Sequence, residues 1–209
     1  MSGFKKNIFA VFVSGIGSNL QAIIDAVENG IIKGKIGIVV SDKPNCKALE
    51  CSRLANIKTF AFEPKKFSSR KEYEILIADE CEKAGCEFIV LAGYMRLLSP
   101  WFVAQYKNRI INIHPSLLPN FPGTHAIQDA IEAGAKMTGC TVHFVDEGID
   151  TGSIIAQREV VISNDDDLDS LTEKIHLTEH ELYPKIVNLL CCNKIEKRQL
   201  QTLACVRKF

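Results

Sequence analysis

No one sign of charge dominates this chain: 25 Lys and Arg balance 25 Asp and Glu across 209 residues. Nothing therefore pulls it as a whole toward nucleic acid or an anionic membrane. Long apolar runs are missing as well. Those present, such as Phe88 to Ala92, fall far short of the roughly 20 residues that cross a bilayer. The opening Met1-Ser-Gly-Phe-Lys-Lys-Asn7 leads straight into a strand-like segment, without the apolar stretch and small-residue cleavage site of an export signal. Eight cysteines stand at positions 46, 51, 81, 86, 140, 191, 192 and 205, with no C-x-x-C pair and no repeated metal-ligand spacing. That spacing favours free thiols in a reducing cytosol over a disulfide framework or a structural zinc site. These absences argue against a secreted, membrane-spanning or disordered chain. What is there, 46% apolar and 24% charged residues, is the composition of a globular protein with a substantial core.

Short apolar runs alternate with longer amphipathic stretches. Strands are expected at 7–13, 35–41, 58–62 and 86–92, and again from Arg109 to Ile111. Helices are expected at 19–29, ending near Gly30, at 47–56, and at 68–84, where Ser68 or Ser69 caps the start and Gly85 the end. The 86–92 run is almost wholly apolar, which suits a parallel strand covered on both faces. The alternation predicts an α/β fold, a doubly wound, mostly parallel, Rossmann-like sheet whose ligands gather at the carboxyl ends of its strands. Later, 138–145 and 153–162 read as an antiparallel pair added to that sheet. Asp165-Asp-Asp167 favours a helix start for Leu168 to Leu190, and residues 191–209 read as a tail with a small hairpin.

Three constellations could carry chemistry. Ser14-Gly-Ile-Gly-Ser-Asn19 joins a strand to a helix and could offer backbone N–H groups to an anion. It lacks the third glycine of a dinucleotide fingerprint and the lysine of a Walker loop, so it is a phosphate cradle of another kind or merely a tight turn. In Asn112-Ile-His-Pro-Ser-Leu-Leu-Pro119, Asn112 and His114 lie two apart in an extended segment and project to one side, and Pro115, Pro119 and Pro122 stiffen the loop beyond them. In Asp146 to Gly152, Asp150 could orient and charge the His114 imidazole, or the acids could simply be solvated turn residues. His125 and His143 are further candidates, for each of which the structural reading is preferred. No close histidine pairing marks a metal site, and no G-x-S-x-G elbow marks a hydrolase.

Four segments occur in order: Ser14-Gly-Ile-Gly-Ser-Asn-Leu-Gln21, Leu91-Ala-Gly-Tyr-Met-Arg-Leu-Leu98, the 112–119 run, and Val142-His-Phe-Val-Asp-Glu-Gly-Ile-Asp-Thr-Gly152. Together with Glu179-His-Glu-Leu-Tyr-Pro184 they resemble the phosphoribosylglycinamide branch of the folate-dependent formyltransferases, from about residue 7 to about residue 190. The resemblance implies formyl transfer from 10-formyltetrahydrofolate, as co-substrate, to the amine of glycinamide ribonucleotide in purine synthesis. It implies Asn112, His114 and Asp150 as the catalytic trio. Gly17, Ser18 and Asn19, with His176, Leu177, Thr178 and Glu179, would bind the nucleotide. Arg70, Met95, Arg96, Leu97, Leu98, Asn112 and the Asp146, Glu147, Gly148, Ile149, Asp150 loop would face the folate. Ile16 departs from the asparagine often found between the two glycines, so the cradle must rely on backbone N–H groups, Ser18 and Asn19.

The absence of repeats, low-complexity tracts and linkers gives one domain over 1–209, which the resemblance divides into a nucleotide half to about 100, a catalytic and folate half over about 101–190, and the 191–209 tail. The resemblance implies a cytoplasmic monomer or homodimer acting on small molecules, with no metal, nucleic acid or membrane partner. The alternative is a formyltetrahydrofolate hydrolase using the same trio. The expected start of the first strand at about Asn7 leaves no room for that family's extra regulatory domain. The short tail and the zero net charge of the whole chain likewise speak against a methionyl-tRNA formyltransferase. A phosphate-binding regulatory module would have no need of Asn112 and His114 in one stiffened loop.

Overall fold

The computed structural model of the protein describes residues 7–192. Strand β1 (Asn7–Val13) is followed by α1 (Ser18–Glu28), β2 (Gly34–Ser41), α2 (Lys47–Leu54) and β3 (Thr59–Ala61). A 3-10 turn at Pro64–Lys66 leads to α3 (Arg70–Lys83), β4 (Phe88–Leu91), α4 (Pro100–Gln105) and β5 (Ile110–His114). The described residues end with α5 (Ala126–Glu132), β6 (Met137–Phe144), β7 (Ile154–Val161) and α6 (Leu168–Cys191). The sheet order is β3-β2-β1-β4-β5-β6-β7. Every pairing from β3 to β5 is parallel, and β6 and β7 are antiparallel additions. The doubly wound sheet with its antiparallel extension is the one the sequence pattern implies.

Side-chain alternation divides the core in two. Phe9, Val11, Val13 and Val90 pack with α1, α2 and α6, while Ala10, Phe12, Ile89 and Leu91 pack with α3 and α4. All four residues of β4 are buried, as a parallel strand covered on both faces demands. Strand order reverses between β1 and β4, which is where an open α/β sheet leaves a crevice for ligands.

Local rules set the element ends. Ser69, not Ser68, caps α3 by accepting the Glu72 N–H at 3.2 Å, and the Glu72 carboxylate accepts in turn from the Ser68 N–H and hydroxyl. Asp167 caps α6 in a reciprocal pair with Ser170. Deep in α6, the fully buried Tyr183 hydroxyl shares its proton between the carbonyls of Leu91 (2.8 Å) and Ile111 (3.2 Å). This fixes α6 to the site-bearing ends of β4 and β5. Two elements were not anticipated, α4 and α5, at six and seven residues too short to show a helical period. The hairpin expected in the tail lies outside the described residues.

Candidate active site

Ser14 knits the crevice together. Its N–H donates to the Gly93 carbonyl at 3.0 Å, its hydroxyl donates to Asp42 Oδ1 at 2.6 Å, and it accepts the Met95 N–H at 2.9 Å. The loops after β1, β2 and β4 thus hold one another in place. Gly17 has φ +87, and a Cβ there would lie 2.7 Å from the Ala48 Cβ, so only glycine lets α1 begin against α2. Two residues on, buried Asn19 donates to Glu179 Oε2 at 2.7 Å, while its own Oδ1 finds no partner among the described residues. Burial pushes the Glu179 carboxyl up to about 7, against the lowering effect of the Asn19 donor.

Around Glu179 the other α6 positions diverge. The half-buried His176 ring stacks on His180 at 6.2 Å, and burial lowers the pKa of both. Thr178 donates its hydroxyl back to Lys174 O within the helix, and Leu177 is exposed. The structure therefore brings Asn19 and Glu179 together and leaves Thr178 turned to its own backbone.

At the end of β5 the antiparallel register sets Asn112 directly opposite His143. Their side chains meet, Asn112 Nδ2 to His143 Nε2, at 3.2 Å. His143 Nδ1 lies 2.9 Å from the Phe144 carbonyl, which only a ring N–H can satisfy, so Nε2 is left to accept from Asn112. Asp150 reaches into this pair from a left-handed backbone, φ 55. Its Oδ2 accepts the Gly123 N–H at 2.9 Å and sits 3.4 Å from His114 Nδ1, and its Oδ1 sits 3.6 Å from His143 Nε2. His114 Nε2 faces the Phe121 carbonyl at 2.8 Å. Both of its ring nitrogens face acceptors, an arrangement that only the doubly protonated ring satisfies in full.

Burial works against the charge of Asp150, and is the largest single influence on it. The Gly123 N–H and the neighbouring His114 imidazole oppose it, and the carboxyl stays below its ordinary range. His143, read from sequence as structural, is therefore a member of the cluster. The signal that could have found it is the pairing of β6 with β5, which no neighbouring stretch of sequence reveals. Exposed His125 stays outside the group.

The Asp146 to Gly152 loop divides between the two readings left open for it. Asp146 accepts the Gly148 N–H at 3.1 Å and the Thr151 hydroxyl at 2.7 Å, a turn-forming role, and Glu147 and Ile149 are exposed. Only Asp150 turns inward. Above β4, Met95 and Leu97 are exposed while Leu98 packs against the α3 side of the core. The Arg96 guanidinium lies over the Tyr73 ring at 5.6 Å, and Arg70 is exposed at the first turn of α3. Among the described residues no cluster of three or more His, Cys, Asp or Glu is arranged to hold a metal ion, and no helix is long and apolar enough to cross a membrane.

A family model described as formyl transferase matches residues 7–187. The chain is 43% identical over 182 residues to phosphoribosylglycinamide formyltransferase of Bacillus subtilis (strain 168), covering 87% of this chain and 93% of that one. It is 46% identical over 183 residues to the trifunctional purine biosynthetic protein adenosine-3 of Drosophila melanogaster, of which it spans 14%. Glycinamide ribonucleotide transformylase 1 from Symbiobacterium toebii superimposes with a TM-score of 0.89 at 39% identity, over 92% of both chains.

Proposed function

The chain belongs to the formyl transferase family, and on that premise we propose that it moves the formyl group of 10-formyltetrahydrofolate to the amine of glycinamide ribonucleotide in cytoplasmic purine synthesis. The observation that carries the reading is the single carboxylate, Asp150, facing His114 and His143 beside the Asn112 amide.

In this reaction the acceptor amine attacks the formyl carbon, and the formyl oxygen gains negative charge. Asn112 spends one N–H on His143, so its second N–H is the free donor for that oxygen. Losing such a donor costs about 3–4 kcal/mol of transition-state stabilisation. His114 sits two residues on, with both nitrogens already engaged by Asp150 and Phe121. Its contribution is a fixed positive charge beside the developing oxyanion, held in place by Asp150, rather than a freely swinging acid. A proton must then pass from the attacking amine to the departing folate nitrogen, and the partly buried, ionised Asp150 is the group placed to organise that transfer. Holding both substrates at one strand end supplies much of the remaining acceleration.

Gly17, Ser18 and Asn19 would receive the nucleotide phosphate at the start of α1, and Glu179, with His176 nearby, the rest of that substrate. Met95, Arg96, Leu97 and the 146–150 loop would receive the folate, which brings its formyl group already activated. His114→Ala tests the reading: turnover should fall at least a hundredfold while the fold, followed by circular dichroism, stays intact. Turnover within a few-fold of the parent protein would remove the role given to His114.

A further inference from the structure

The turn that ends α3 brings two cysteines together. Gly85 takes a left-handed backbone, φ +70, and its N–H donates to the Glu82 carbonyl at 2.8 Å. The next N–H, that of Cys86, donates back to the Cys81 carbonyl at 2.9 Å. Helices that close on glycine with this pair of bonds set the two side chains flanking the longer bond against each other, and the contact is ordinarily apolar. Here both are thiols. They join the α3 side of the core, Cys81 wholly buried and Cys86 half-buried. A peptide hydrogen bond between two residues holds their Cα atoms roughly 5–6 Å apart, inside the range from which a disulfide closes. Gly37 on β2 gives the outer sulfur its room, since a Cβ there would stand 3.0 Å from Cys86 Sγ.

The two sulfurs differ in character. Cys81 keeps its proton, because it donates that proton to Cys86 and because burial disfavours its charge. Cys86 accepts the bond and feels the Lys58 ammonium, so its thiol lies below the ordinary range in spite of its burial. An outer sulfur that ionises readily thus lies against an inner one that stays a thiol. The pair stands at the amino end of β4, and Gly93, Met95 and Arg96 follow the carboxyl end. The four residues of β4 put roughly 13 Å of strand between them.

We infer that Cys86 and Cys81 are a reversible modification site for low-molecular-weight disulfides of the glutathione type, with Cys86 attacking and Cys81 resolving. The Cys86 thiolate attacks one sulfur of the small disulfide. A bond forms between them, the small S–S bond breaks, and one half leaves as a thiolate that takes a proton from water. Cys81 then gives its proton to solvent and attacks the Cys86 sulfur. The Cys81–Cys86 bond forms, the mixed bond breaks, and the second small thiol departs with a proton. One small disulfide is reduced to two thiols, and the protein dithiol is oxidised to one disulfide. An adduct on a thiol with no resolving neighbour is reversed by free thiol in solution. A resolving thiol already in contact competes at an effective concentration of about millimolar or above, which carries the exchange through to the internal disulfide.

The test equilibrates the protein at pH 7.5 in mixtures of reduced and oxidised glutathione, quenches with acid, alkylates, and maps the peptides by mass spectrometry. In the parent, the segment holding Cys81 and Cys86 should become two hydrogens lighter and carry no glutathione. Its oxidised fraction should exceed the adduct on half-buried Cys46, Cys51 or Cys192 at least tenfold in mixtures where the latter first appear. Cys81→Ala should trap glutathione on Cys86, and Cys81→Ser, closer in volume, serves the same purpose if the alanine variant does not fold. Cys86→Ser should leave Cys81 reduced. Glutathione retained on Cys86 in the parent overturns the inference, as does a reduced pair in mixtures that already modify Cys46. The mapping stands apart from the formyl-transfer reading. Oxidised parent protein should also keep its turnover within twofold, and a loss that follows the disulfide would contradict its separation from the site.

Discussion

Asn19 donates its amide to the Glu179 carboxylate at 2.7 Å, a buried contact between residues 160 apart in the chain. It fastens the start of α1 to the middle of α6, and it leaves a carboxyl in a place that disfavours its charge. The Glu179 value, about 7 against an ordinary 4.5, makes the folded protein hold a proton that the unfolded chain has lost. Stability from this group is therefore full below about pH 4.5 and lost as pH rises through 7, by roughly 3 kcal/mol in all. Glu179→Gln removes the titration. Urea unfolding at pH 5 and pH 8 should show the variant gaining about 2–3 kcal/mol on the parent between the two, whereas parallel profiles would contradict the burial argument.

Asp150 titrates the other way. Its carboxyl is held below the ordinary range, so it is ionised throughout neutral pH, and its contribution is lost only as pH falls beneath that range. Asp150→Asn should lower kcat at least a hundredfold. A folded variant that keeps kcat within a few-fold of the parent would remove the pairing from the account.

His143 separates a packing role from a positioning one. It is buried, and it fixes the Asn112 amide by accepting one of its N–H groups. His143→Gln should lower kcat at least tenfold with both KM values within threefold, since the misaimed Asn112 amide matters most when charge develops. An unchanged kcat in a folded variant would return His143 to the core.

Gly17 and Gly93 both have positive φ, +87 and +73, but differ in their surroundings. A Cβ at Gly17 meets Ala48 at 2.7 Å, and one at Gly93 meets nothing within 4 Å. Gly17→Ala should lose about 2–3 kcal/mol and raise the acceptor KM at least fivefold, while Gly93→Ala should lose only about 1 kcal/mol, the backbone strain alone. Thermal unfolding and steady-state kinetics on both variants check the contrast, and equal losses would show that the Ala48 contact is not what restricts position 17.

Much of this was legible in the residues. The apolar runs of β1 and β4 and the capped start of α3 are local patterns, and the expected strands and helices fall where they should. Helix α4, opening on Pro100-Trp101, has too few residues for a period to emerge. Pro184 sits inside α6, where a local rule would break a helix, yet the buried Tyr183 beside it anchors that turn to the sheet. In the site, Asn112 and His114 were legible because they share one strand face. His143 was not, because its meeting with Asn112 depends on the β5–β6 register, which no short stretch of sequence specifies. Asp150 lay between: its residue type suggested a partner for His114, but only its left-handed backbone separates it from the solvated acids of the same loop.

The most direct measurement tracks tetrahydrofolate release from 10-formyltetrahydrofolate in the presence and absence of glycinamide ribonucleotide. Release should require the nucleotide and match, mole for mole, the formylated nucleotide formed. Release at the same rate without the nucleotide, with formate as the other product, would contradict the account and make the same cluster a hydrolase.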